Sequence, residues 1–356
     1  MIFSSLLRPV HDETFPSWML RCALNNKILC LSENVINDWA AHDRHKRFRV
    51  GGLGMEFDFK ESWGLLIAEE MKVSSLIIDK FFKPSSSLLL DPEYRTAYCH
   101  MCIESDVLHK RYPSWRKSWC YVTHPYCTVH KRLLSFINGC EIVDKQWIAF
   151  AKGDLGEFIT RKVRPYFRHD YGIPSGNVRA WLTLRVQHWI ERLHRAPQCT
   201  LPGTDMIVDS ATVISAVNMI LRLFLVPRTD RTGPGVAIDI YAAIYAPIVH
   251  KILSFRERLE YGAPHSVPYV RMSALLLLGL TFRIFSAKEV QMFKELILPR
   301  EFLWPSLQEL GQLSISEQTL EESDVEELLT SLAAVSTHLN EFITGVQLEV
   351  GQDPVF

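Results

Sequence analysis

The chain has 356 residues, of which 47% are hydrophobic and 22% charged, and this composition excludes a generally disordered protein. A chain of this length can form two domains. The formal net charge of −1 excludes a uniformly basic or acidic protein but hides an asymmetry. Residues 1–200 carry 28 Lys and Arg against 21 Asp and Glu, whereas residues 201–356 carry 11 against 19. A basic first part is suited to bind a polyanion, and an acidic second part is suited to bind a basic protein. Each charged surface could equally be solvated without a partner.

No segment is apolar for long enough to predict a transmembrane helix. The longest strongly apolar stretch, residues 274–282, is about half the length that a bilayer requires, and Arg271 and Arg283 flank it. Residues 1–7 are too short and too soon followed by charge to predict a signal peptide. Eight cysteines without an export signal are typical of reduced thiols, some of them metal-bound. The sequence therefore predicts a cytoplasmic protein without a membrane segment.

Short helices are predicted in the N-terminal part of the chain, where apolar residues recur at helical spacing. Ser32 could cap the second of them, and the turn near residues 25–32 would resemble a helix-turn-helix. The Gly- and Arg-rich residues 45–59 are predicted to form a loop, whose glycine spacing is not that of a nucleotide-binding loop. The predicted helices cover residues 15–31, 32–39, 62–72 and 73–82.

Helical periodicity dominates the chain after residue 140, and Pro- and Gly-rich joints separate the periodic segments. Capping-box patterns at Ser286–Glu289 and Ser323–Glu326 predict two helix starts. Further helices are predicted over residues 178–195, 210–226, 236–259, 268–285, 288–298 and 324–346. The fold class that follows is mainly α, with a small metal-held region near residues 95–135.

The most informative pattern is a pair of short donor motifs. Cys99 and Cys102 form a Cys-x2-Cys motif, and after a 24-residue gap Cys127 and His130 form a Cys-x2-His motif. Two intervening residues allow a tight turn to aim both donors at one ion, and four such donors make a tetrahedral structural zinc site. Because protein fills all four positions, none is left open to activate water. The sequence therefore predicts bound Zn2+ and no zinc hydrolase activity.

Two alternatives to this ligand set stay open. The four residues could be unrelated, with Cys99 and Cys127 buried as small hydrophobic side chains. Other donors also lie near enough in the sequence to replace a ligand: His100, Cys120, His124 and Cys140.

Basic residues with interleaved aromatic residues suggest a contact with nucleic acid. Residues 95–132 carry seven Lys and Arg against two acids, and residues 161–195 carry eight against two. Basic groups beside aromatic rings suit phosphate contact and base stacking. The same rings, Tyr112, Trp115, Trp119 and Tyr121, could instead belong to the core. The predicted surface for nucleic acid or an acidic partner comprises Arg116, Lys117, Lys131 and Arg132.

One pattern suggests an enzyme. His11 and Glu13, with Cys99 and Cys102, mimic the His-x-Glu and Cys-x-x-Cys motifs of zinc nucleobase deaminases. Two features weigh against it: Tyr98 stands where such motifs have proline, and 87 residues separate His11 from Cys99. Two of the four predicted ligands would also have no role. No zinc-protease or serine-hydrolase motif is present, so the sequence predicts no enzyme.

Two blocks of the sequence contain motifs that occur together in a known family. The first block contains Arg8-Pro9, Asp12-Glu13 and the run Phe-Pro-Ser-Trp-Met-Leu-Arg at residues 15–21. The second contains Tyr-Cys-His-Met-Cys at residues 98–102, Arg116 with Trp119, and the Cys-x2-His motif at residues 127–130, followed by two leucines. Over roughly residues 8–135 the chain thereby resembles the TniQ family. His100 and Thr128 replace prolines that members of this family often have, and a second cysteine cluster that some members have is missing.

The resemblance implies a function in choosing the insertion site during transposition. TniQ-like proteins mark the target and recruit an AAA+ ATPase, which engages the transposase; some bind target DNA, and others bind a CRISPR effector complex with its guide RNA, often as dimers. It implies a bacterial cytoplasmic protein without catalytic residues. We expect a zinc-binding TniQ-like domain of short helices over residues 1–150 and a helical domain over residues 151–356. The alternative function is a zinc-containing, sequence-specific DNA-binding protein or a protein adaptor unrelated to transposition.

Overall fold

The structure is a computed structural model, and it describes residues 6–25, 57, 69, 72–85, 88–137, 145–153, 178–227, 235–237, 254–296, 306–316, 318 and 320–351. These residues are mainly helical, which confirms the predicted fold class at this level. The chain divides into two compact units, Met1–His130 with Leu134–Glu157 and Lys131–Leu133 with Phe158–Phe356. The predicted domain boundary after residue 150 stays a prediction.

The first unit combines short helices with a minimal sheet. Its two strands, β1 (Ala97–Tyr98) and β2 (Ser135–Phe136), pair antiparallel with Tyr98 opposite Ser135. Single turns of 3-10 helix cover Pro92–Tyr94 and Lys117–Cys120. The helices of this unit are α1 (Phe15–Leu24), α2 (Ser75–Phe82), α3 (His100–Leu108) and α4 (Lys145–Lys152).

In the residues that the structure describes, the second unit is a helical assembly with one hairpin. Strands β3 (Gln198–Thr200) and β4 (Ile207–Asp209) pair antiparallel. Asp209 then caps the next helix by accepting a hydrogen bond from the Thr212 N–H. The helices are α5 (Val178–Arg195), α6 (Ser210–Leu225), α7 (Phe255–Gly262), α8 (Pro268–Thr281), α9 (Ala287–Leu296), α10 (Leu307–Ile315), α11 (Glu322–Leu332) and α12 (Ser336–Glu349).

Helix α8 is the centre of the second unit. All of its residues from Pro268 to Thr281 are buried, and α5 and α6 pack against it. A helix that is apolar on every side is buried in a core or in a membrane. Within the described part of the chain, no helix combines the length and apolarity that crossing a bilayer requires. The apolar stretch noted in the sequence is therefore core.

Several predicted helices are confirmed. Helix α5 has the bounds that its periodicity predicts, and α6 ends one residue before the predicted end. The capping box at the start of α9 is also confirmed. The Ser286 N–H donates to Glu289 Oε2 at 2.6 Å, and the Glu289 N–H donates to Ser286 Oγ at 3.4 Å. This reciprocal pair satisfies two N–H groups that a helix start leaves unbonded.

Three predictions about helices are wrong. Residues 236–259 do not form one helix, because Ser254 is extended and caps α7 together with Glu257. The predicted box at Ser323 is replaced by an earlier one, in which the Glu321 N–H donates to Asp324. The predicted helix 324–346 is interrupted by a 3-10 turn at Ala333–Val335. The two helices on either side of this turn have different partners, since α11 packs on α6 and α12 packs on α10.

Other predictions concern residues that lie outside the described ranges wholly or mostly. They are the helix over residues 32–39, the turn near residues 25–32, the loop over residues 45–59 and the helix over residues 62–72. Helix α1 is described as far as Leu24 of the predicted 15–31, and α2 begins at Ser75 rather than at residue 73.

Two glycines permit the close contact between α10 and α12. A Cβ atom at Gly345 would overlap the carbonyl oxygen of Gln308, and one at Gly311 would overlap that of Phe342. We therefore expect Gly345→Ala to destabilise the protein by about 2 kcal/mol or more, although alanine favours a helix by about 1 kcal/mol. Thr337→Ala, on the exposed face of α12, is the matched control and should be neutral or slightly stabilising. Urea unfolding measures both, and equal stability of the two variants would contradict this packing.

Candidate metal centre

The first donor pair is positioned by a strand that leads directly into a helix. Strand β1 ends at Tyr98, Cys99 is the N-cap residue of α3, and Cys102 lies in the first turn of that helix. The Cys99 carbonyl accepts hydrogen bonds from the Cys102 and Ile103 N–H groups, at 3.1 and 3.2 Å. Both thiols therefore lie at a helix N-terminus, where the unbonded N–H groups favour negative charge.

The second donor pair lies in a turn. Residues 128–130 form the turn, and the His130 N–H donates to Cys127 Sγ at 3.4 Å. Lys131 follows with a positive φ of 52°. On the other side of this turn, the Leu134 N–H donates to the Pro125 carbonyl at 2.9 Å. This bond closes the loop at its base, so the turn presents Cys127 and His130 on the same side.

The four donor atoms lie at the corners of a small tetrahedron. Cys102 Sγ is 3.6 Å from Cys127 Sγ, and His130 Nδ1 is 3.3–3.7 Å from the three sulfur atoms. All four atoms lie within 4.8 Å of one another. Zinc bonds of about 2.3 Å to sulfur and 2.0–2.1 Å to nitrogen, at tetrahedral angles, place neighbouring donors about 3.5–3.8 Å apart. A disulfide would need sulfur atoms about 2.0 Å apart, so these cysteines are free thiols.

This buried Cys3His cluster could hold a metal ion. The substitute donors His100, Cys120 and His124 do not belong to the cluster, and Cys140 lies outside the described residues. The alternative in which the four donors are unrelated is therefore wrong, because their side chains lie together in the structure. Binding of an ion stays a prediction.

The thiols of the cluster have unequal acidities. Hydrogen bonds from Cys102 and Cys99, together with the His130 N–H, hold the pKa of Cys127 far below its usual range. The same contacts and burial raise the pKa of Cys102. Of the three thiols, Cys127 therefore has the lowest pKa. A divalent cation would allow the other thiols to ionise as well, with release of protons.

The cluster belongs to an aromatic core. Trp115, Trp119 and Tyr121 are 0–2% exposed, and the two tryptophan rings meet edge to face at 5.4 Å between centroids. Side chains that are buried in this way cannot stack on bases. The prediction that these three rings contact nucleic acid is therefore wrong. Tyr112 alone of the four predicted rings stays partly accessible, at 36%. The rings surround the metal-ligand segment and stabilise it by burial.

The N-terminal block of the resemblance forms a buried polar network. The Glu13 carboxylate is paired with Arg21 at 2.7 Å, and it also accepts hydrogen bonds from the Ser17 hydroxyl and the Val10 N–H. Burial raises the pKa of Glu13, and the charge and hydrogen bonds of Arg21 oppose this shift. A second donor of Arg21 bonds the Arg8 carbonyl at 2.9 Å. Helix α1 and the preceding segment are thereby held together.

The N-terminal block contacts the second block directly. The Trp115 N–H donates to Ser17 Oγ at 2.9 Å, and the Thr14 N–H donates to the Trp115 carbonyl at 2.9 Å. Asp12 accepts from the Ser118 N–H at 3.0 Å through its side chain. Hydrogen bonds of the backbone and of side chains therefore join helix α1 and the residues just before it to residues 115–119, which contain the Arg-x-x-Trp element. The two separate stretches of the sequence form one folded region.

Two residues of the predicted basic surface have structural contacts. Arg116 bonds the buried Asp106 carboxylate at 3.1 Å and the His11 carbonyl at 3.0 Å. Lys117 Nζ donates to the Phe81 and Lys83 carbonyls at the end of α2, and burial lowers its pKa. Both cations therefore serve contacts within the protein.

The other two residues of that surface follow the metal ligands directly. Lys131 is exposed and Arg132 is half-buried. They are grouped with the second unit, whereas Arg116 and Lys117 belong to the first. A single surface formed by all four residues stays a prediction.

The deaminase pattern is not assembled. His11 is not part of the Cys/His cluster, and Glu13 is bound to Arg21 in the buried network. A general acid or base must reach the substrate beside the metal. Glu13 is directed into a different set of contacts, and Cys127 and His130 occupy the remaining corners of the tetrahedron.

Sequence reasoning missed one central residue of this region. Asp106, on α3, is 1% exposed, and it accepts hydrogen bonds from the Ser114 N–H and hydroxyl as well as from Arg116. Arg111 contacts it at 3.3 Å. Asp106 therefore joins the helix that carries Cys102 to the loop before Trp115. One of two acids in a basic stretch, Asp106 gave no signal of this function.

No family model, no curated protein and no solved structure matches the chain. The resemblance to the TniQ family therefore stays a prediction that depends on the two sequence blocks.

Proposed function

We propose that the Cys3His cluster is a structural zinc site. The donor set of three soft thiolates and one imidazole favours Zn2+ over harder cations such as Mg2+ or Ca2+. Bound zinc would supply a rigid crosslink between the start of α3 and the turn at residues 127–130. All four tetrahedral positions are provided by Cys99, Cys102, Cys127 and His130. A site of this kind fixes a surface for recognition and activates no water, so we propose no catalytic function.

We further propose that the protein selects the insertion site during transposition, by linking target DNA or an RNA-guided CRISPR effector complex to an AAA+ ATPase. One observation supports it: the two sequence blocks that resemble the TniQ family meet through buried hydrogen bonds at Ser17 and Trp115. A chance likeness of two short stretches would not require them to fold against each other. A bacterial cytoplasmic location and a homodimer are part of the same proposal.

The proposal is tested by mapping insertion sites in a host that carries this gene with the transposase and AAA+ ATPase genes beside it. With the intact chain, we expect insertions to concentrate at a preferred target. Deletion of the gene, or Cys102→Ala, should disperse or abolish them, whereas the control Cys120→Ala should preserve the preference. Neighbouring genes without a transposase and an ATPase, or an unchanged distribution after deletion, would overturn the proposal and favour an adaptor unrelated to transposition.

A further inference from the structure

Helix α5 presents one continuous stripe to solvent. Its exposed residues are spaced by four, three, four and three positions, which places them on one face of the helix. We call this face the α5 stripe. It comprises Trp181, Arg185, His188, Arg192 and Arg195.

The α5 stripe contains no acidic residue, which is unusual for its surroundings. An exposed helix face of an ordinary protein mixes charges of both signs. Residues 201–356, which provide the other helices of this unit, carry 19 acids against 11 Lys and Arg. If this face were only a solvated surface of the unit, we would expect acidic residues on it too. The stripe concentrates positive charge locally within an otherwise acidic part of the chain.

The cations of the stripe are only partly neutralised by neighbours. Arg195 has a side chain 76% exposed and a surface contact of 3.5 Å with Glu191, a pairing worth little in water. Arg185 is paired with Glu289 and is still 43% exposed. Among the described residues, the side chains of Arg192 and His188 have no hydrogen-bond or ion-pair partner. Arg192 is therefore free to bind a ligand, and Arg185 and Arg195 stay accessible to one beside their acidic partners.

The helix dipole explains only part of this pattern. Cations in the last turn, such as Arg192 and Arg195, stabilise a helix by interacting with its C-terminal carbonyl groups. Arg185 and His188 lie too far from that end to contribute in this way. Trp181, 49% exposed at the other end of the stripe, has no such explanation either. A ligand along the whole face accounts for all five residues.

We propose that the α5 stripe binds the phosphate backbone of duplex DNA. From Trp181 to Arg195 the stripe rises by 14 residue steps, or about 21 Å of helix at 1.5 Å per residue. That length corresponds to about six base pairs of duplex. Arginine forks bind phosphate in bidentate fashion, and the flat ring of Trp181 can pack on the sugar edge. Contacts of this kind, to phosphate and sugar, position a protein on the duplex and read no base sequence.

This inference rests on the proposed function, because that function makes DNA the polyanion that the protein binds. It deepens the function by locating the DNA-binding surface on the second unit. The earlier candidates Arg116 and Lys117 are engaged within the protein, and the Arg116 side chain is 14% exposed, whereas those of Arg185 and Arg195 are 43% and 76% exposed. Counterion release upon phosphate neutralisation would supply the affinity, which should therefore fall steeply with salt.

The experiment is fluorescence anisotropy of the full chain with a labelled duplex of about 25 base pairs, between about 50 and 200 mM salt. The test variant is Arg192→Gln with Arg195→Gln. The matched control is Arg256→Gln with Arg283→Gln, which removes two exposed, surface-paired arginines of the same unit. We expect the test variant to lose about tenfold in affinity at 100 mM salt, with a salt slope lower by about 1.8. The control should bind as the parent protein does, and both variants should unfold at the same urea concentration.

Equal loss of affinity in both variants, or no duplex binding at the lowest salt, would overturn the inference. Binding through the stripe that prefers a single strand, a polyglutamate peptide or anionic vesicles to duplex would overturn it as well. Its failure is distinct from failure of the proposed function. A chain that directs insertions but binds duplex without the stripe overturns only the inference. A chain that binds duplex through the stripe and leaves insertions unchanged overturns only the transposition function.

Discussion

Replacement of Cys102 by alanine should release about one zinc ion per chain and strongly destabilise the first unit. The side chain provides one corner of the donor tetrahedron, and its loss also removes the link between α3 and the 127–130 turn. Structural zinc contributes about 10–16 kcal/mol of apparent folding free energy in small zinc-finger peptides. We expect a loss of several kcal/mol here, measured by urea unfolding together with elemental analysis of the purified variant.

Cys120→Ala is the matched control for this experiment. Cys120 is fully buried in the same core but lies outside the donor cluster. Its replacement removes one sulfur atom from the packing and should cost about 1 kcal/mol without loss of metal. If both cysteine variants kept the same metal content and melted together, the cluster would not be a metal site.

Replacement of Arg21 by methionine should destabilise the protein by about 3–5 kcal/mol, because the Glu13 carboxylate would stay buried without its cation. Glu13 is 1% exposed, and Arg21 provides two of its hydrogen bonds, at 2.7 and 2.8 Å. Without Arg21, only the hydrogen bonds from Val10 and Ser17 oppose the effect of burial, so the pKa of Glu13 rises further above the ordinary value of 4.5.

The effect should depend on pH in a defined direction. A carboxyl group whose folded pKa is raised favours the folded state when protonated, so its stability contribution is greatest below about pH 4.5 and falls as pH rises toward the folded pKa. The destabilisation by Arg21→Met should therefore be smaller near pH 4.5 than at pH 8. The difference between variant and parent at each pH cancels the pH dependence that both share.

A double variant separates charge from packing. Glu13→Gln with Arg21→Met replaces the ion pair by neutral groups, and the amide can still bond the Val10 N–H and the Ser17 hydroxyl. We expect it to recover much of the lost stability and to lose the pH dependence. A double variant as unstable and as pH-sensitive as the single variant would show that Glu13 is not the cause.

The sequence predicts best what depends on local spacing. The donor pairs at Cys99 and Cys127 are separated by two residues each, and turn geometry then brings both members together. The bounds of α5 follow from apolar residues repeated along the whole helix. Such features need no knowledge of distant contacts.

The starts of two helices were missed although the sequence contains their signal. Helices α7 and α10 both begin with a serine followed by glutamate three residues later, at Ser254 and Ser306. The same pattern predicted α9 correctly. Helix α3 is different, because it begins at Cys99 without a side-chain cap, and its exposed residues are mixed with metal ligands. Its start gave no comparable signal.

The location of charged residues could not be predicted from the sequence. Arg116 and Lys117 have the composition of a polyanion surface, but one bonds a buried acid and the other bonds the end of α2. A cation that neutralises an internal partner and one that faces solvent look alike in a sequence. The α5 stripe was likewise hidden in a count of basic residues, since exposure distinguishes its members from the buried Arg179.

X-ray absorption of the purified chain at the zinc edge tests the central claim most directly. The cluster predicts one zinc per chain with three sulfur neighbours at about 2.3 Å and one nitrogen neighbour at about 2.0–2.1 Å. Substitution of His130 by cysteine should convert this shell to four sulfur neighbours. Absence of zinc, or a shell of oxygen neighbours, would contradict the assignment of Cys99, Cys102, Cys127 and His130 as its ligands.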